Sequence, residues 1–163
     1  MAVSVSRRIG APASEIFRVL ADPGRHTELD GSGMLRGAVT SDAVTGVGDV
    51  FVMQMYFSAH GDYQMNNRVV EFEQDRLIGW EPAAGHGHPD EGESTDAWGH
   101  RWSFSLVPDG PEATVVTESY DCSRVPAEAQ EDMHGGKVWL ASMSATLERL
   151  DDLCCPGGTQ AEA

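Results

Sequence analysis

Two ionisable residues fall where an alternating strand should be apolar. In an extended chain every second side chain shares a face. Trp98, His100, Trp102, Phe104 and Leu106 would share one face of the run 98–106, with Arg101, Ser103 and Ser105 on the other. In the run 113–121, Thr114, Val116, Glu118 and Tyr120 would share a face. Close-packed cores exclude unpaired ionisable groups. Two neighbouring strands that each break this rule predict a lined cavity, not a solid core. Pro108, Asp109-Gly110 and Pro111 supply turn chemistry between the runs and predict a hairpin. Closing it at 107–113 would set Phe104 opposite Val116, Trp102 opposite Glu118 and His100 opposite Tyr120. His100 and Glu118 would then be diagonal neighbours. An imidazolium would hold the carboxylate ionised, while burial would push the other way. Such a pair could move a proton in enolisation, aldol closure or dehydration of a bound ketone, with Tyr120 and Asn67 orienting the substrate. It could equally be a satisfied polar contact that fixes the sheet or orients a ligand.

Further candidates surround this pair. His26 and Asp30 are four residues apart, one turn if the segment is helical. They read either as a ligand-contacting pair at a rim or as a capping Asp beside a solvent-facing His. Met53, Met55, Met65, Met133 and Met143 are thioethers suited to an adaptable pocket or to core filling. Trp80, Trp98, Trp102 and Trp139, with Tyr120, could stack on a flat ligand. Asn67 is polar on a mostly apolar face, fit to orient a ligand carbonyl or to bond a neighbouring strand. His86, His88 and Asp90 have a spacing seen in metal sites but no further ligands nearby. The loop 83–97, rich in glycine and acid, is therefore read as a mobile lid without metal. There is no phosphate-binding glycine loop, nucleotide fingerprint or nucleophile elbow, so no cofactor is expected.

The elements that must position these groups follow from periodicity. Strands are predicted over 3–9, 35–39, 47–57, 63–72, 77–82, 98–106 and 113–121, joined by short turns and hence antiparallel. A helix starting at Pro12 stops at Asp22-Pro23, and a second short one is expected over 24–30. Val138, Leu140, Met143, Leu147, Leu150 and Cys154 recur at helical steps. They predict a long helix from about Lys137, with a bent start at Gly135-Gly136. One domain over 1–153 and a disordered tail over 154–163 are expected. The chain has 163 residues, 26 acidic against 11 basic, and a formal net charge of −15. That charge makes nucleic acid and anionic membrane poor partners. No apolar run is long enough to span a membrane, and the N-terminus lacks a signal-peptide core, so a cytoplasmic protein is expected. Cys122, Cys154 and Cys155 are poorly placed for an ordinary disulfide or a zinc site.

Local motifs carry a resemblance along nearly the whole run from Val3 to Leu153. They are Ala11-Pro12-Ala13 with Ile16, Phe17 and Asp22-Pro23; Arg25-His26 and Leu29 through Gly33; Gly46-Val47-Gly48 before Phe51; Asn67 through Phe72; Trp80; Trp102; Thr117-Glu118 with Tyr120-Asp121; and Leu147 through Leu150. On these the chain resembles the START-like, or SRPBCC, superfamily, and within it the polyketide cyclase/dehydrase-like branch. The resemblance implies an α+β helix-grip fold, in which a curved antiparallel sheet of about seven strands wraps around a long C-terminal helix. Two short helices would follow the first strand. It also implies a hydrophobic small-molecule partner, aromatic or polyketide-like, held between sheet and helix by a monomer or homodimer. Cyclase/dehydrase activity, a non-catalytic carrier or sensor, and an interaction module like the heat-shock-ATPase activators all remain open, because fold does not settle function.

Overall fold

The alternating stretches become β1 (Ala2–Ile9), β2 (Leu35–Ala38), β3 (Val50–Phe57), β4 (Gly61–Glu73), β5 (Leu77–Ala84), β6 (Arg101–Pro108) and β7 (Thr114–Asp121). They are seen in a computed structural model that describes residues 2–40, 42–92 and 98–155. Every pairing is antiparallel, and the sheet runs β1-β7-β6-β5-β4-β3-β2. The first and last strands in sequence are therefore neighbours, and β2 closes the far edge. Period-two patterning survives in the burial. Strand β4 buries Tyr63, Met65, Asn67 and Val69, and β7 buries Thr114, Val116, Glu118 and Tyr120. A bulge between Val69 and Glu71 shifts the phase, so that Phe72 packs against the core.

Helix α1 (Ala13–Leu20) begins after Pro12 and buries Ile16, Phe17, Val19 and Leu20 against the sheet. The expected second helix is split by proline chemistry. Asp22 accepts from the Gly24 N–H at 3.0 Å and caps a 3-10 turn over Pro23–Arg25, and α2 (His26–Leu29) follows. Helix α3 (Ala127–Asp132) leads into a 3-10 turn over His134–Trp139, and α4 (Leu140–Cys154) completes the fold. The long helix thus starts three residues later than the periodicity suggests. Gly135 and Gly136 take positive φ, +67° and +95°, and turn the chain before it. Gly136 is also a close approach, since a Cβ there would lie 2.7 Å from the Tyr120 ring.

Helix α4 lies against β1 and α2. It buries Met143, Thr146, Leu147 and Leu150. Arg7 on β1 pairs with Asp151 at 2.8 Å, and Arg149 donates to the main-chain oxygen of Asp30 at 2.7 Å. The Gly31 N–H donates to Thr146 Oγ1 at 2.9 Å. A side chain at Gly31 would clash with the Ser142 carbonyl, so glycine lets the loop after α2 touch the helix. One end of the space between sheet and α4 is filled by Ile9, Phe17, Leu20, Ile78, Val116, Leu147 and Leu150. The other end is not filled.

Several boundaries differ from the sequence expectation. Cys154 is helical, and Cys155 donates its thiol to the Gly10 carbonyl at 3.1 Å, so the ordered chain passes the expected limit at 153. The expected disordered tail otherwise lies outside the described residues. Strand β6 begins at Arg101, because Gly99 takes φ +97° against the Arg124 backbone and ends the extended run. The β6–β7 register is offset by two residues from the one read above. Phe104 pairs with Glu118, Trp102 with Tyr120 and Leu106 with Val116. Pro108 is the last paired residue of β6, where its missing N–H matters least, and Asp109-Gly110 turns beyond it. An even offset keeps every face, so the inward set is unchanged while the partners within it are exchanged.

Candidate ligand cavity

The unfilled end is a cavity of about 430 Å³. Strand β3 contributes Phe51, Met53, Met55 and Phe57; β4 contributes Tyr63, Met65 and Asn67; and β5 contributes Trp80 and Pro82. Strands β6 and β7 add Trp102, Phe104, Glu118 and Tyr120. The opposite wall is His26, Leu29, Asp30 and the loop after α2, with Trp139 and the α4 residues Ser142, Met143 and Thr146. Segments between strands supply His60, His88, Trp98 and His100. Every residue named from the sequence as a catalytic or ligand-binding candidate lines this space except Met133. That side chain sits behind the wall, where its sulfur accepts from the Tyr120 hydroxyl at 3.5 Å.

The expected His100–Glu118 contact does not form. With β7 offset by two, Glu118 stands opposite Phe104, and Tyr120 takes the place nearer His100. His100 Nδ1 and the Tyr120 hydroxyl share a hydrogen bond of 2.5 Å, and their rings stack at 5.8 Å. Burial lowers the His100 pKa and pushes the Tyr120 phenol up to about 12. Glu118 is 5% exposed, and its Oε2 has no hydrogen-bond partner. Burial, and then the charge of Asp30 across the cavity, push its carboxyl up to about 8. At neutral pH Glu118 is therefore an uncharged acid and a donor: of the two opposing effects named from the sequence, burial prevails.

His26 and Asp30 do not form a rim pair. His26 is buried, stacked on Trp80 at 5.5 Å and edge-on to Phe51 at 5.5 Å. Its Nε2 is 2.8 Å from the Leu20 carbonyl, so that nitrogen carries the hydrogen. Burial lowers its pKa, so the ring is neutral and Nδ1 is an acceptor. Asp30 caps the loop: Oδ1 accepts from Ser32 N–H at 3.0 Å and Oγ–H at 2.7 Å, and Oδ2 from Leu35 N–H at 3.2 Å. The Asn67 amide lies 3.4 Å from the carbonyls of Phe51 and Met65, tying β4 to β3. The Trp139 indole N–H approaches Tyr120 without reaching hydrogen-bond geometry, and it has no partner.

The loop expected to be a solvated lid is anchored at its start. Ala83 and Ala84 belong to β5, and Gln64 exchanges backbone bonds with His86 and Gly85. His88 turns inward and touches the rings of Tyr63 and His60 at 5.2 Å and Trp98 at 5.0 Å. His86 faces out and pairs with Glu91 at 3.2 Å. Among the described residues no three His, Cys, Asp or Glu side chains are grouped so as to hold a metal ion. Residues 93–97 of this expected lid lie outside the described residues.

Sequence reasoning missed several wall residues. Tyr63 shares the face of Met65 and Asn67, and Thr146 stands one turn after Met143, so periodicity held the signal for both. His60 and His88 had no such signal, because they reach the cavity through turns.

No protein-family model matches the chain. The chain is 34% identical over 155 residues to the uncharacterized protein Rv0088 of Mycobacterium tuberculosis, an alignment covering 92% of this chain. It spans 62% of that relative's length. A solved Polyketide_cyc-like protein of Corynebacterium glutamicum superposes with a TM-score of 0.51 at 19% identity, covering 99% of this chain and 87% of that one. The Aha1 dimer of Colwellia psychrerythraea superposes with a TM-score of 0.57 at 14% identity, covering 97% and 98%. With one antiparallel seven-stranded sheet among the described residues, two short helices after β1, and α4 laid against that sheet, the chain has the helix-grip α+β fold.

Proposed function

We propose that the chain binds an aromatic or polyketide-like small molecule between the sheet and α4. The observation that carries this reading is a cavity of about 430 Å³ walled by aromatic rings and thioethers, with a few buried polar groups among them. That is the usual make-up of a small-molecule site. Rings supply flat contact area and methionines adapt to shape. Among the large exposed apolar residues, Val50, Tyr56 and Phe57 share β3, where Phe57 lines the cavity, while Val47, Val107 and Val138 lie on three other segments. The working form is a cytoplasmic monomer or homodimer.

A second reading adds chemistry, and Glu118 favours it. A buried uncharged acid with a free oxygen can deliver a proton to a ketone oxygen as a cyclisation or dehydration proceeds. The His100–Tyr120 pair would orient the substrate and take up or return a proton beside it. In this cyclase/dehydrase-like scheme Glu118 and His100 act at separate points of the wall.

Native mass spectrometry of the gently purified protein tests the binding reading. A retained small molecule that is lost on Met143→Trp, which fills the cavity from α4, supports it. Absence of any adduct, with no calorimetric binding of 2-naphthylmethanol, 2-naphthylmethylamine or 2-naphthoate, overturns it.

A further inference from the structure

The electrical character of the cavity wall narrows the class of ligand. Among the described residues no lysine or arginine lines the space. Arg149 reaches only the main-chain oxygen of Asp30. The acidic groups in the wall are Asp30 and Glu118. Asp30 is held by three donors from its own loop, and its charge acts on Glu118 across the cavity. Of the four histidines in the wall, burial keeps His26, His88 and His100 from gaining charge, and His60 stands at the turn between β3 and β4. Tyr63 and Tyr120 are both pushed up by burial and stay neutral. An anionic ligand would thus enter a negative space with no counter-charge, a costly burial. A cationic one would find a carboxyl with an unpartnered oxygen and four indole rings.

We propose that the cavity selects hydrophobic amines, the protonated nitrogen of the ligand pairing with Glu118 and its aromatic body lying among the indoles. This rests on the binding reading above and names its ligand class. In the empty cavity the Glu118 carboxyl holds its proton. When the ammonium enters, that proton leaves to solvent, the carboxylate forms, and the ligand nitrogen keeps its own proton. Charge in the cavity is conserved, because one positive group replaces another. Asp30 remains in its loop and adds attraction without direct contact.

Three probes of one size test this by calorimetry at neutral pH: 2-naphthylmethylamine, 2-naphthylmethanol and 2-naphthoate. The amine should bind about tenfold or more tightly than the alcohol, a gap of ~1.4 kcal/mol, and the naphthoate should not bind measurably. Titrations in buffers of different ionisation enthalpy should show about one proton released with the amine and none with the alcohol. In Glu118→Gln the amine-to-alcohol affinity ratio should collapse towards one. Equal affinity for amine and alcohol, binding without proton release, or an unchanged ratio in the variant overturns the proposal and leaves the cavity reading standing. Failure of all three probes to bind overturns both.

Discussion

Glu118 makes a sharp stability prediction of its own. Its ordinary value of 4.5 applies in the unfolded chain, against about 8 when folded. Between those values the unfolded chain releases a proton that the folded chain retains. Stability therefore falls as pH rises from about 4.5 to about 8, and is flat below that window for this group. Glu118→Gln removes the penalty, so its gain in unfolding free energy should be near zero at pH 4.5 and about 2–4 kcal/mol at pH 8. Urea titrations at the two pH values check it, and an equal effect at both would refute it. His26 works in the other direction. Its folded value is depressed below 6.5, so the folded ring refuses a proton that the unfolded chain accepts. Stability contributed by the neutral ring is lost as pH falls below about 6.5. His26→Phe should flatten that acid slope, at a cost of ~1 kcal/mol at every pH for the stranded Leu20 carbonyl. Acid unfolding followed by circular dichroism reads both effects. The types of these residues were legible in the sequence, and their states were not. A glutamate on an inward face signals a cavity, but whether its neighbour is an imidazole or an aspartate depends on register and on a loop crossing from α2.

The elements were easier to read than their mutual placement. Alternation over β4 and β7 marks which side chains face inward, and a two-residue offset leaves that marking intact. The same offset separates His100 from Glu118 and joins His100 to Tyr120, a distinction that no period-two pattern carries. Turn chemistry at Pro108 to Pro111 announces a hairpin without fixing which rung closes it. Close approaches are also invisible to periodicity. Gly135-Gly136 predicts a bend, but only the fold shows that the second glycine lies against the Tyr120 ring. Gly136→Ala must place a Cβ at positive φ and push that ring, so it should cost about 2 kcal/mol or more. It should also disturb the bond between Tyr120 and His100. The urea midpoint gives the cost, and the tyrosine ring signals in NMR spectra report the displacement. A variant that melts like the parent would show that the turn can move away from β7.

At the scale of the whole molecule the charge balance governs solution behaviour. With 26 acidic and 11 basic residues, the folded surface repels itself. The exposed ion pairs, such as Arg8 with Asp109 at 2.7 Å, are worth little individually. Screening should therefore help more than it harms. Raising salt from about 20 mM to about 300 mM should raise the melting temperature by roughly several degrees. A flat or falling response in calorimetric scans would mean that the pairs outweigh the repulsion. No helix among the described residues is long and apolar enough to cross a membrane. Overall architecture was the most legible level of all, since element order and short turns leave an antiparallel sheet covered by one long helix. The cavity was legible only in outline, because His60 and His88 come from turns that close over it.

The chain contains four tryptophans, and all of them line the cavity. Its near-ultraviolet emission is therefore a property of that wall, with no indole elsewhere to dilute it. An arriving molecule that absorbs in that region would dim nearly the whole signal by energy transfer, and one that only displaces water would shift its colour. The protein carries its own optical gauge of occupancy, and an unlabelled sample in a cuvette is enough to screen candidate ligands.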